Sequence, residues 1–438
     1  MPIRLLRSFA KKKFFPRTIR HFNRRLRFRL LDWRARIRRP TLTNVTFVGV
    51  TGSCGKTTTT ELIHAVLSTA GNCQSRTNEP WVHQRLRIRH SILSVDASTR
   101  FYVYETASIG PGSIASQLKF LRPRIGVVTT IGSDHFHAFR SLEAIANEKA
   151  ALVESLPSNG IAILNIDDPL VRAMTERTQA RVITFGLSPE ADIRGSAVAA
   201  CWPNRLSLMV SYGEERLHVA TQLVGEHWAI SVLAAMACGL ACGLDLAVCA
   251  RAVANVEPVF ARYSAHGNPG GPAYVLDSLK APYWTISAGF KFMQTASAPR
   301  KTIVFGTISD YRGKAGRYYR RVAREALEVA DRVVFVGPHS SHIAKLCEGE
   351  AHGRLFAFQT VYDASDFFAK RSLPDELIYV KASRTADHLE RIMLSQLDEV
   401  VCWRERCKKA CNCQTCKSYR KPTPPPLAVL ERTGSQQS

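Results

Sequence analysis

The sequence lacks any apolar run long enough to cross a membrane. Its longest uncharged stretch, Trp228 to Leu244, is 17 residues rich in Ala, Gly and Cys. A spanning helix needs roughly 20 predominantly apolar residues, so this stretch reads as a buried core helix. A secretory signal is missing as well, because no apolar segment follows the basic start. Acidic residues are nearly absent from the two ends. Residues 1–40 hold fifteen Lys/Arg against Asp32 alone, and residues 401–438 hold eight against two Glu. Of the formal net charge of +24, only +4 belongs to residues 41–400. The basic character thus belongs to the two ends and does not imply a nucleic-acid-binding core, and nucleic acid is not an expected partner. A disulfide framework is lacking too. Seven of the twelve cysteines are scattered, several in apolar runs, which suits a reducing cytoplasm. No internal repeat is visible.

What is present is α/β grammar. The chain has 438 residues, 45% of them apolar, enough for more than one core. Apolar strand candidates at 45–50, 101–105, 125–131 and 161–165 alternate with helical segments at 57–70, 113–120, 141–156 and 227–241. A second block begins near 257, with strands expected at 274–277, 302–306, 332–336 and 377–381. The expected fold is α/β, a first domain with a mostly parallel sheet followed by a smaller Rossmann-like α/β domain. The expected boundaries are a basic arm at 1–43, an ATP-binding domain at 44–256, an α/β domain at 257–400 and a Cys-rich tail at 401–438. In the arm, Ile19, Phe22, Leu26, Leu30, Trp33 and Ile37 fall on one helix face among arginines. Such a helix suits contact with an anionic membrane surface through residues 1–40. Docking of the stripe on the protein itself is the alternative. The expected location is the cytoplasm, with peripheral membrane association.

The residues that carry chemistry begin with Gly49-Val50-Thr51-Gly52-Ser53-Cys54-Gly55-Lys56-Thr57-Thr58. A strand, a Gly-rich turn and a helix place backbone N–H groups and a helix N-terminus toward phosphates. Gly52, Gly55 and Thr58 would shape the cradle. Lys56 would reach the β- and γ-phosphates, and Thr57 would hold Mg2+. The usual loop has Gly where Val50 stands. Glu105 closes an apolar strand, and in open α/β sheets such ends face the ligand crevice, so it is a second Mg2+ candidate. The strand after it runs into Asp134-His135, either of which is a candidate metal ligand. Lys149 by itself reads as an ordinary surface lysine.

These pieces, taken with Gly110-Pro111-Gly112, Pro123 and Asn165-Ile166-Asp167-Asp168, resemble the central ATPase domain of the Mur ligase family. The resemblance continues through Gly225-Glu226-His227, Arg262, Asp277 to Pro282 and Val380 to Arg384, nearest the D-alanyl-D-alanine-adding branch. It implies an ATP-dependent ligase that joins a substrate carboxylate to the amine of an amino acid or short peptide, working toward the cell envelope. It implies one Mg2+ on Thr57 and Glu105, a second on His135 and a carbamylated Lys149, and ATP contacts from Arg262, Asp277 and Lys280. The chain departs from the pattern at Ser231, where the family has an adenine-contacting Asn, and at Ala151, where an acidic residue is common. Only about 43 residues precede the ATPase domain, so a UDP-muramyl substrate is not among the expectations carried over, and the involvement of a UDP-sugar stays open.

Outside the resemblance lies Cys402-x4-Cys407-x3-Cys411-x-Cys413-x2-Cys416. Four of these thiolates would make a tetrahedral Zn2+ site. An iron–sulfur cluster, redox pairing and unliganded thiols are the alternatives. Two other functional classes share the motifs. One is a P-loop ATPase that couples hydrolysis to conformational change or to binding at a membrane or polyanion. The other is a silent scaffold, against which the set Lys56, Glu105, His135 and Lys149 argues.

Overall fold

The computed structural model describes residues 17–77, 84–134, 136–349, 351–405, 407–416 and 419. His135, the first sixteen residues of the arm and the Pro-rich end of the tail lie outside them.

Fifteen strands form two sheets among the described residues. The first contains β1 (Thr46–Thr51), β2 (Cys73–Arg76), β3 (Phe101–Glu105), β4 (Ile125–Val128), β5 (Ile161–Asn165), β6 (Arg181–Gly186), β7 (Ile193–Ala199), β8 (Ser207–Tyr212) and β9 (Glu215–Ala220). Their spatial order is β2-β3-β1-β4-β5-β6-β7-β8-β9. Pairing is parallel from β2 through β7, then antiparallel to β8 and β9. The second sheet contains β10 (Ser264–His266), β11 (Ala273–Asp277), β12 (Lys301–Phe305), β13 (Arg332–Val336), β14 (Leu355–Phe358) and β15 (Leu377–Lys381). Its order is β10-β11-β15-β12-β13-β14, parallel except for the edge strand β10.

The continuous apolar runs of the first sheet follow from its being covered on both faces. Val48 and Val50 of β1 look toward Leu62, Val66 and the helix Ala229–Ala241. Phe47 looks the other way, toward Leu121 and Leu152. Of the helices α1 (Arg17–Arg38), α2 (Lys56–Ser68), α3 (Gln84–Leu93), α4 (Ser113–Leu121), α5 (Phe136–Phe139) and α6 (Leu142–Glu154), all but α5 supply residues to these covers. Leu152 presses against Gly49, where an added Cβ would sit 2.8 Å from its Cδ1. Burial of such a side chain contributes about 1.5–3 kcal/mol. The uncharged stretch from Trp228 is indeed a helix buried almost all round.

One expected strand needs correction. The strand expected at 125–131 stops at Val128, because side chains take over the backbone. Thr129 Oγ1 donates to Cys54 O at 2.7 Å, and Asn165 Nδ2 donates to Thr129 O at 2.8 Å. The chain therefore leaves the ladder for the phosphate loop. The arm docks in part on the protein, the alternative named for it. Asp32 pairs with Arg89 of α3 at 2.6 Å, and Arg39 lies 3.7 Å over the Phe47 ring. This docked side leaves Leu30, Trp33 and Ile37 at 53%, 59% and 52% exposure.

Candidate active site

The site grows from the carboxyl ends of β1, β3 and β4. Register places Val50 opposite Glu105, so the end of β3 lies beside the loop that leaves β1. That loop turns into α2 through Gly55, whose φ of +80° needs a residue without Cβ. Gly52 is fixed by space: a methyl group there would collide with the Thr129 hydroxyl. Ser53 staples the loop to the next strand end. Its Oγ donates to Gly132 O at 3.0 Å and accepts from Gly132 N at 2.8 Å.

Inside this cradle Lys56 Nζ donates to Gly52 O at 2.7 Å and Ser53 O at 3.2 Å, and lies 3.7 Å from Asp134 Oδ2. Thr57 Oγ1 donates to Glu105 Oε2 at 2.8 Å, both residues being buried. A hydroxyl and a carboxylate oxygen held together are a hard-oxygen donor pair that suits Mg2+. Thr58 carries a buried hydroxyl with no hydrogen-bond partner.

Lys149 is not the surface lysine that the residues alone suggest. It is 3% exposed. Helix α6 starts at a Ser141 cap whose side chain accepts from Ala144 N, then packs its middle against the sheet. Burial, then the positive charge of Lys56, pull the Lys149 pKa down to about 7, against the pull of Asp134 and Glu148. Lys280, from the second half of the chain, adds to the lowering. The fold thus brings Lys56, Asp134, Lys149 and Lys280 into one electrostatic neighbourhood. His135 lies outside the described residues.

Glu148 was missed by the sequence reasoning. Its carboxylate accepts from Gly112 N at 2.7 Å, Ile114 N at 2.7 Å and Ser108 Oγ at 3.1 Å, so it fixes the Gly110-Pro111-Gly112 turn beside Lys149. A Glu-Lys pair inside a helix gives no sign of double burial.

Across the cleft, Asp277 ends β11 and is engaged inside its own sheet. It accepts from Lys381 Nζ at 2.6 Å and Tyr379 OH at 3.0 Å. Lys381 belongs to the Val380 to Arg384 segment that carries the resemblance, but its ion pair with Asp277 comes from the parallel pairing of β11 and β15. Arg262 is half-buried between Ala261 and Tyr263, whose φ angles are +63° and +55°. His227 is half-buried against Trp228 and Tyr263, at ring distances of 4.6 and 4.2 Å, and burial lowers its pKa to about 4. It borders a cavity of about 200 Å3 with Gly225, Glu226, Ile230, Lys291 and Phe292. Ser231 turns away from that cavity: its Oγ accepts from Thr59 Oγ1 at 3.0 Å. Trp284 of the second block lies on the first, its ring 2.7 Å from where a Gly132 Cβ would be.

The five tail thiols do not converge on one point. Among the described residues, the one group of three metal-type donors is His388, Glu390 and Cys413.

Comparison with known proteins agrees with this geometry. A family model described as the Mur ligase middle domain matches residues 50–239. A UDP-N-acetylmuramoyl-tripeptide–D-alanyl-D-alanine ligase of Mycobacterium tuberculosis is 28% identical over 371 residues, 78% of this chain and 71% of that protein. A UDP-N-acetylmuramate–L-alanine ligase of Laribacter hongkongensis is 29% identical over 238 residues, 52% of this chain and 49% of that protein. Among solved structures, MurF from Acinetobacter baumannii superposes with a TM-score of 0.76 at 21% identity, covering 85% of this chain and 81% of its own. MurF from Thermotoga maritima in complex with ADP gives 0.72 at 21%, covering 84% and 82%. With a phosphate loop, strand-end carboxylate and buried lysine arranged on this sheet, and with the match spanning them, residues 50–239 of this chain are similar to the Mur ligase middle domain.

Proposed function

We propose that this ATP-dependent amide ligase does its chemistry in the cleft between the two sheets, with the phosphate loop on one side and the Lys280 loop on the other. The reading keeps the boundaries 44–256 and 257–400 for the two lobes. The observation that carries it is the Thr57–Glu105 pair beside Lys56, facing a buried Lys149. ATP is the nucleotide, and the T. maritima relative was solved with ADP.

The reaction follows from charge. A substrate carboxylate oxygen attacks the γ-phosphorus of ATP and ADP leaves, giving an acyl-phosphate. The amine nitrogen then bonds to the acyl carbon, phosphate departs with the C–O electron pair, and the nitrogen loses its proton. Lys56 would swing from its own loop carbonyls to the γ-phosphate and neutralise developing charge. Thr57 and Glu105 would hold Mg2+, which screens the phosphate oxygens. His135 and a carbamylated Lys149 would hold a second ion. Carbamylation requires the neutral amine, and a pKa near 7 supplies it at physiological pH. Gly52, Gly55 and Thr58 would cradle the phosphates. Arg262, Asp277 and Lys280 would approach the nucleotide as the second block closes.

D-alanyl-D-alanine, named in the relatives, is the first amine to try. ADP release is to be measured against a panel of amino acids and dipeptides with candidate acceptors, with mass spectrometry of the products. Amine-dependent ADP release with a new amide product is expected. Release indifferent to any amine would favour the alternative, an ATPase that couples hydrolysis to conformational change.

The exposed Leu30, Trp33 and Ile37 on an arginine-rich helix support peripheral contact with an anionic membrane. No described helix is long and apolar enough to cross one. The tail thiols are further proposed to take part in binding a metal, Zn2+ or iron–sulfur.

A further inference from the structure

We infer that His388, Glu390 and Cys413, together with one thiolate from Cys402 or Cys416, bind a single divalent ion of zinc type. This ion pins the cysteine-rich tail to the loop that follows β15. The inference stands apart from the ligase reading and from the Mg2+ donors at Thr57 and Glu105. It also replaces the all-cysteine site expected from sequence with a mixed one.

The geometry comes first. His388 Nδ1 lies 3.2 Å from Glu390 Oε1 and 3.4 Å from Cys413 Sγ. The three donor atoms are all within 4.8 Å of one another. Zn–N, Zn–O and Zn–S bonds of roughly 2.0–2.3 Å at tetrahedral angles give ligand–ligand edges of about 3.3–3.7 Å. The two short contacts fall at that edge length or just inside it, so a small contraction or expansion admits an ion.

Satisfaction of the donors comes second. His388 is 2% exposed and Glu390 0%. His388 Nε2 and Glu390 Oε2 are both buried without a hydrogen-bond partner. Nδ1 has two suitors and one role. Protonated, it donates to Glu390 and offers nothing to the Cys413 thiol; unprotonated, it accepts from Cys413 and faces the Glu390 carboxylate lone pairs. A buried polar group left unmade costs about 1–3 kcal/mol. A cation binding all three removes the conflict.

Surroundings come third. A cavity of about 20 Å3 is bordered by His388, Arg391, Cys402, Cys407, Cys413 and Cys416, room for about one water-sized particle. Lys409 Nζ donates to Cys416 Sγ at 3.4 Å, and Arg391 Nη1 donates to the carbonyls of Cys402 and Arg404 at 3.1 and 3.2 Å. Burial, then the Glu390 carboxylate, push the Cys413 thiol up, so an ion bound there would displace the thiol proton. Imidazole with thiolate selects zinc-type ions over Mg2+. The consequence is mechanical. The same loop presents Ser383 and Arg384, and Asp387 holds Ser383 N at 2.9 Å. A metal on His388 would fix the tail against the segment that borders Lys381.

The test uses the full chain, purified without a metal-binding tag. Elemental analysis should find about one zinc per chain. X-ray absorption at the zinc edge of the wild-type protein should show sulfur together with nitrogen or oxygen neighbours. His388→Ala and Cys413→Ser should each lower zinc affinity by at least about 10-fold, while Cys201→Ser leaves it unchanged. A pure sulfur shell, iron with acid-labile sulfide, or a metal-free wild type whose tail thiols all titrate freely would each overturn the site. Full zinc retention in both variants would do the same. The X-ray absorption measurement needs no variant, so misfolding of either one leaves the inference testable.

Discussion

At the scale of single residues, the phosphate loop and the buried lysine make opposite demands on charge. Lys56 must stay cationic to meet phosphate, while Lys149 is held where a cation is costly. Lys56→Ala should lower ligation by at least about 100-fold and leave the thermal transition almost in place, because its bonds to Gly52 and Ser53 are partly solvated. A turnover assay beside calorimetry checks this. Lys149 carries a sharper expectation. Its folded pKa of about 7 lies below the ordinary 10.5, so between these values the unfolded chain binds more protons. Stability attributable to this group therefore rises with pH across that window, and its full cost is present below pH 7. Lys149→Met should raise the unfolding temperature more at pH 6 than at pH 10 while abolishing product. An equal shift at both pH values would show that Lys149 is not held neutral. Lys149→Ala should be nearly inactive and partly rescued by excess short carboxylic acids, which occupy the carbamate's place; unrescued full activity would remove the lysine from the site.

At the scale of elements, legibility tracked burial. Strands β1, β3, β5, β11 and β15 were readable because both faces are covered and each is a plain apolar run. The β7-β8-β9 meander was not, since β7 and β9 expose Arg194, Glu215, Arg216 and His218, bury few residues and carry no long apolar signal. Glu105 could be placed at a strand end from sequence, but its contact with Thr57 depends on the parallel register of β1 and β3. Glu148 and Lys149 looked like a solvated helix face because their burial is tertiary: α6 is sandwiched between the sheet and α4. The arm illustrates the reverse case. Its stripe was visible, yet which part docks was decided by Asp32 and Arg89. Replacing Leu30, Trp33 and Ile37 together by Ser should abolish pelleting with phosphatidylserine vesicles without altering ligase turnover. Binding in the parent should also weaken as salt rises. A triple variant that still pellets would leave the arm's arginines, or another surface, as the source.

At the scale of the whole molecule, residues from both sheets border one set of charges, and closure is what unites them. Lys280 reaches the neighbourhood of Lys149 from the second lobe, whereas Asp277 is tied to Lys381 and Tyr379. The nucleotide must therefore draw Asp277 from its own sheet or work beside it. Trp284 offers a way to see this. Its indole rests on Gly132, and its Nε1 is buried without a hydrogen-bond partner. An indole in such a place emits at shorter wavelength than one in water. Should the lobes part, Trp284 is the chromophore that loses its shelter, and its emission should move to the red. Adding ATP with Mg2+ should reverse that movement, and the difference spectrum should vanish in Trp284→Phe. The protein thus carries its own optical gauge of the gap between its halves, set one residue from the hydroxyl that staples the phosphate loop.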